Sequence, residues 1–345
     1  MTIGRYVTAT LAIIAVPGVV WAPASSAPRN TPLLFVSNEG SHDISVINTT
    51  NNTVVATIPV DGRPRGIHVS PDQRRVFVAL SDEQPNTQSS RDAIVAIDIT
   101  TRRVVARYAI GTDPEQFAIS PDGTRLYVSN EDAGTATALD IRSGRMIATI
   151  IVGIEPEGVA YSPDGRWVYV TSETSNSVTI VDARTNTVVN NVLVDLRPRA
   201  AAFSPSGHRA FVTAEIGGSL AVIDPATFAV VKSIELERGE GKPVGIVVSP
   251  DGKRIYVASG RTSTVSVLDE RSGATIAAIP VGKRPWGITV SRDGRFVYTA
   301  NGLSNDVSVI DASTLRVVAT LKVGQRPWGV ALSDQEVQPP RRTAQ

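Results

Sequence analysis

Seven prolines recur along the chain in a charged or aromatic setting: Arg63-Pro-Arg65, Asp113-Pro-Glu115, Glu155-Pro-Glu157, Arg197-Pro-Arg199, Lys242-Pro-Val244, Arg284-Pro-Trp286 and Arg326-Pro-Trp328. The proline repeats and its neighbours do not. The residues after it are Arg65, Glu115, Glu157, Arg199, Val244, Trp286 and Trp328, two acids, two guanidiniums and two indoles at one register of a repeat. Later in the same repeats come Asn38-Glu39, Glu131, Glu173, Glu215 and Asn301. Tryptophan with arginine is the composition of binding hot spots. Glutamates and asparagines could hold a hard divalent cation such as calcium through oxygen ligands. The same acids could instead do no more than pair with the crossover arginines as solvated salt bridges, each worth about 0 to 1 kcal/mol.

Other chemistry is poorly provided for. The chain has three histidines, His42, His68 and His208, and no two of them have metal-ligand spacing. A Ser-His-Asp relay would need a histidine on the variable face, where His42 alone is expected. No phosphate-binding loop or dinucleotide glycine pattern occurs. With no cysteine, disulfides, thiolate metal sites and covalent c-type heme attachment are excluded. A formal net charge of +1 gives no general field for nucleic acid or anionic lipid.

The elements that must position these residues read as strands. Pro156 to Val170 holds an alternating run, the turn Ser162-Pro-Asp-Gly165, and the unbroken apolar run Trp167-Val-Tyr-Val170. Proline presets φ and glycine supplies positive φ, so the stretch is a β-hairpin whose second strand is covered on both faces. The aromatic of that second strand returns at Phe35, Phe77, Tyr127, Tyr169, Phe211, Tyr256 and Tyr298, at intervals of 42, 50, 42, 42, 45 and 42 residues. Such a period is that of one four-stranded propeller blade. The expected fold is all-β, a seven-bladed β-propeller of four-stranded antiparallel blades. Strands are lettered A to D from the channel outward, and blade four reads Gly158 to Ser162, Trp167 to Ser172, Ser177 to Asp182 and Thr187 to Val194. The first unit lacks a strand A, and Trp328 to Ser333 matches one, so the C-terminal strand is expected to close the ring beside Leu33 to Ser37.

In this arrangement the Ser-Pro-Asp-Gly turns and the turns beginning at Asp98, Asp140, Asp182, Asp224, Asp269 and Asp311 share one face. Near-copies of one turn point to structure. The proline crossovers and the varied acids share the other face, where the residues after proline should ring the channel mouth. A polar insertion between Ser81 and Arg91 is expected on that face as a tolerated surface loop rather than a lid. Residues 1–24 read as a secretory signal peptide: Arg5, an apolar run from Val7 to Val20, and the small residues of Ala22-Pro-Ala24. That run is shorter than the about 20 residues of a membrane span. Residues 25–32 are expected as a linker, 33–333 as the propeller, and 334–345 as a disordered tail.

The runs Tyr-Val-Ser-Asn and Val-Ser-Val-Ile-Asp resemble the YVTN family of bacterial β-propellers. Gly111-Thr-Asp-Pro-Glu-Gln-Phe117, Ser172-Glu-Thr174, Ala214-Glu-Ile-Gly-Gly218 and Gln325-Arg-Pro-Trp-Gly329 are similar to the propeller proteins associated with PQQ-dependent catabolism. The resemblance implies an exported, periplasmic or secreted propeller found alongside quinoprotein alcohol oxidation, with no assigned activity. It does not imply a quinoprotein dehydrogenase, which carries eight blades and a disulfide of adjacent cysteines. The function expected is a ligand-binding or protein-docking accessory, with Arg65, Glu115, Glu157, Arg199, Trp286, Trp328, Glu131, Glu173, Glu215 and Asn301 as binding residues. No catalytic residue and no cofactor are expected, a divalent cation being the one alternative. Partners are expected to be a periplasmic protein or a small molecule, with no nucleic acid and no membrane insertion, and the protein to be a monomer. The alternative is a lactonase- or lyase-like enzyme using Glu131, Glu173, Glu215 and Asn301 around a divalent ion.

Overall fold

A computed structural model describes Met1 and residues 32–83, 89 and 91–334. The expected signal peptide, most of the linker, most of the insertion after Ser81 and the tail beyond Asp334 lie outside the described residues. Twenty-eight strands form seven four-stranded antiparallel sheets, and the fold is the seven-bladed propeller. Blade 4 runs Pro156–Tyr161, Trp167–Ser172, Ser177–Asp182 and Thr187–Leu193, within two residues of the sequence reading at either end of each strand. Blade 1 is assembled from both ends of the chain: Pro327–Ser333 pairs with Leu33–Asn38, Leu33 opposite Ser333 and Val36 opposite Val330. Ring closure thus rests on backbone hydrogen bonds and packing. No helix among the described residues is long and apolar enough to cross a membrane.

Seven apolar clusters fill the seven blade interfaces. Leu33, Phe35, Ile44 and Val46 of blade 1, for instance, meet Ile67, Val76, Val78 and Val95 of blade 2. Strand B is buried along its length in every blade because a neighbouring blade covers each face. Its repeated aromatic, as at Phe35, Tyr127, Tyr169, Phe211 and Tyr256, is essentially inaccessible to water. Outer strands such as Arg103–Ala109 bury one residue firmly and expose most of the rest.

On the repetitive face the aspartates are structural. Asp122, Asp164 and Asp251 accept from the hydroxyls of Ser120, Ser162 and Ser249 at 2.5, 2.5 and 2.7 Å and from backbone N–H groups of their own turns. Asp140, Asp269 and Asp311 likewise accept from the hydroxyls of Ser143, Ser272 and Ser313 and from the turn backbone, which together hold their carboxyls below the usual range, Asp311 at about 2.

Candidate functional site

Each strand A carries an irregularity where the charged ring begins. In blade 4 the pairing with strand B shifts between Pro156 and Val159, and the same shift recurs after Pro64, Pro114, Pro198, Pro243 and Pro285. A bulge re-aims the extra residue out of the ladder. The residue so freed is the one after proline. In four blades a strand B hydroxyl repairs the interrupted ladder: Thr171 accepts from the Gly158 N–H at 2.8 Å and donates to the Arg199 carbonyl of the next blade at 2.9 Å. Ser37, Ser129 and Thr213 grip the carbonyls of Arg65, Glu157 and Val244 in the same way, at 2.6 to 2.7 Å. Gly158 and Gly245 follow their ring residues because a Cβ there would collide with the carbonyls of Arg199 and Trp286 on the adjoining strand. Three of the four charged ring residues are thereby fixed by the preceding blade.

The second set of acids is seated on the first by the crossovers. In six of them the residue before proline has positive φ, from 44° at Asp113 to 60° at Arg197. Its carbonyl accepts the N–H at the end of strand B: Glu131 to Asp113 at 3.1 Å, Glu173 to Glu155 at 2.9 Å, Glu215 to Arg197 at 2.8 Å and Glu39 to Arg326 at 3.0 Å. Both sets therefore surround one cavity of about 310 Å³ at the channel mouth.

Two networks form its charged side. Arg65 contacts Glu115 and lies 3.4 Å from Glu39 and 3.6 Å from Glu131, while Arg63 reaches Glu39 at 3.2 Å and Asp113 at 3.3 Å. Arg199 contacts Glu173 and lies 3.4 Å from Glu215 and 3.6 Å from Glu157, with Arg197 2.6 Å from Glu173. The opposite side is aromatic: Trp286 and Trp328 lie 5.9 Å apart, and the guanidiniums of Arg199 and Arg284 sit 4.7 and 5.0 Å from the Trp286 ring. Arg65, Glu115, Glu157, Arg199, Trp286, Trp328, Glu131 and Glu173 all line the cavity. Glu215 pairs with Arg199 outside the cavity lining, Val244 is buried, and the Asn301 amide is committed to Asp306 and Ser308 at 2.8 and 2.9 Å. Asn38 and Asn130 make the same clasp in their blades.

The four oxygen donors expected around one cation are thus divided between different tasks. The carboxylates that do converge, within 4.8 Å of one another, are Asp113, Glu115 and Glu131. Arg63 and Arg65 already occupy that convergence. Arg197, Arg284, Arg326 and Leu303 also line the mouth and were not singled out from the sequence. The signal for the arginines was present, since all three precede the proline of a crossover. Grooves on the opposite face, such as that around Asp72, Tyr108 and Asp140, recur between several blade pairs and are lined by the repeated turns.

Glu131 stands out electrostatically. Burial, and then the neighbouring Glu157 carboxylate, push its carboxyl up to about 7 against the pull of Arg65. The folded protein binds a proton here that the unfolded chain has released, so this contribution to stability is lost as pH rises from about 4.5 to about 7. A Glu131→Gln variant is therefore expected to be more stable than wild type at pH 8, on the order of 1 kcal/mol, and equal to it at pH 4. Thermal unfolding at the two pH values checks this; a constant difference would contradict it.

The cytochrome D1 heme domain family matches residues 107–215 and 205–327, and the choice-of-anchor I domain matches residues 24–142. No curated protein matches the chain. Among solved structures, hydrazine synthase of Kuenenia stuttgartiensis is 24% identical, with a TM-score of 0.70 over 79% of this chain and 90% of that one. The periplasmic gluconolactonase of Pseudomonas aeruginosa is 20% identical, with a TM-score of 0.73 over 88% and 99% of the two chains. A 6-phosphogluconolactonase-like protein of Bacteroides uniformis is 17% identical, with a TM-score of 0.74 over the same shares. At these identities the likeness is one of fold.

Proposed function

The chain belongs to the cytochrome D1 heme domain family, and from its mouth geometry we propose that it is an exported ligand-binding propeller that takes a small hydroxyl-rich organic molecule at the channel mouth. One observation carries this reading: a tryptophan pair faces a ring of carboxylates and guanidiniums whose backbones are held by the preceding blade, whereas the other face repeats one turn. Alternating donors and acceptors suit hydroxyl groups, and the flat faces of indoles suit the C–H surface between them. The gluconolactonase folds among its structural neighbours point towards sugar acids and their lactones. Export is supported by the signal-like first residues and by a periplasmic neighbour. The PQQ-linked setting implied by the repeat sequence supplies context for an alcohol- or sugar-oxidising system.

Heme, which the family name brings to mind, needs an axial nitrogen, sulfur or phenolate ligand. No His, Cys, Met or Tyr is among the described residues that line the mouth. His68, in strand A of blade 2, packs edge-on against Phe117 at 4.9 Å and bonds Gln116 at 3.3 Å. The mouth does not fit a heme iron.

A second reading, lactone hydrolysis, is favoured by Glu131, whose carboxyl titrates at about 7, where a general base is most effective. Water would add to the lactone carbonyl carbon as Glu131 takes its proton. A guanidinium of Arg65 or Arg199 would meet the charge on the tetrahedral oxygen. Collapse would break the ring carbon–oxygen bond and return the proton to the departing alkoxide, leaving the open hydroxy acid. Hydrolysis of D-glucono-δ-lactone above the buffer rate separates the readings: an enzyme gives activity rising through about pH 7 that falls by about a hundredfold or more in Glu131→Gln. Binding of D-gluconate without such activity leaves the binding reading alone.

A further inference from the structure

The guanidiniums of the mouth are not equivalent. Arg63, Arg65, Arg197 and Arg199 each have a carboxylate within 3.4 Å. Arg284 and Arg326 line the same cavity and have no ion pair among the described residues. They are not loose surface side chains by placement. Arg284 lies over Trp286, and its carbonyl is held by the Gly302 N–H at 2.9 Å. The Arg326 stem lies against Gly40, where a Cβ would come within 2.9 Å of its Cδ, and its own N–H is bound by Asn305 at 2.9 Å. Blades 7 and 1 thus bring two uncompensated positive charges to the tryptophan side, while the excess of acid lies across the mouth in blades 2 to 5.

We propose that the ligand is a hydroxylated organic acid, its carboxylate taken by Arg284 and Arg326 above the tryptophan pair and its hydroxyl-bearing end turned towards Glu115, Glu131 and Glu157. The inference rests on the reading of the mouth as a ligand site and adds the charge and direction of the ligand. A neutral polyol brings no charge to these two exposed guanidiniums, whereas a carboxylate forms charge-assisted hydrogen bonds with a planar fork of donors. The charge asymmetry of the cavity therefore selects an anion and orients it.

Calorimetric titration with D-gluconate and with D-glucitol, its neutral counterpart of equal length, tests this on wild type and on an Arg284→Gln/Arg326→Gln double variant. Both arginines are exposed, so the variant is expected to melt within a few degrees of wild type. Wild type should prefer gluconate by about tenfold or more, and the variant should lose that preference while keeping its affinity for glucitol. Equal binding of both ligands by wild type, or a gluconate preference unchanged in the variant, overturns the anion inference and leaves the ligand site standing. Binding of neither ligand by wild type overturns both.

Discussion

Replacing Arg199 by alanine is expected to destabilise the propeller by about 3 to 5 kcal/mol at pH 7, the largest effect of any side-chain substitution in the mouth. Arg199 is 7% exposed and stands among Glu157, Glu173 and Glu215. Without it, Glu157 and Glu173, each 4% exposed, face one another with only the exposed Arg197 to answer them. A buried carboxylate deprived of its counter-ion costs its desolvation energy, which the pair had offset. The loss should shrink towards pH 4, where carboxylates take up protons. Chemical denaturation at both pH values measures this. A loss below 1 kcal/mol at pH 7, or one independent of pH, would mean that the networks are surface decoration.

Truncation after Gln325 is expected to abolish cooperative unfolding or lower Tm by more than about 10 °C. It removes strand A of blade 1, which pairs with Leu33–Asn38 on one side of the ring seam. Leu34 and Val36, now without exposure to water, would lose the Val330 that packs with them, and the open strand edge would seek other partners. Stability in a ring of repeats is a sum over neighbouring interfaces, and this cut breaks the interfaces on both sides of blade 1. Calorimetry of the truncated chain is the check; a transition within a few degrees of wild type would show that the six other blades hold without closure.

The fold was legible because every blade repeats it. The strand B aromatics set the period, and the missing first strand A could be matched to the sequence from Trp328 to Ser333. The ring was legible for the same reason, since the residue after each proline has one address in the repeat. Its pairings were not. Whether Glu173 pairs with Arg197, Arg199 or both depends on side-chain reach across a blade boundary, which a repeat does not encode. Asn301 shared a register with the glutamates yet turns its amide inward to Asp306 and Ser308, and Asn38 and Asn130 do likewise. Their own repetition marks them as clasps. Arg284 and Arg326 were overlooked because they precede the proline, where positive φ and a strand-end hydrogen bond lift them back over the cavity.

The ion pairs of the mouth are compatible with the proposed ligand site. Paired guanidiniums hold the carboxylates still, and still groups lose little entropy when a ligand arrives. Trp286 and Trp328 lie in the mouth and report on it directly. Tryptophan fluorescence during titration with D-gluconate, in wild type and in Trp286→Phe, is the most direct test. Saturable quenching in wild type that is lost or reduced by most of its amplitude in Trp286→Phe is the expected result. An emission spectrum unmoved by gluconate, or quenching indifferent to Trp286, would contradict a ligand site at the channel mouth.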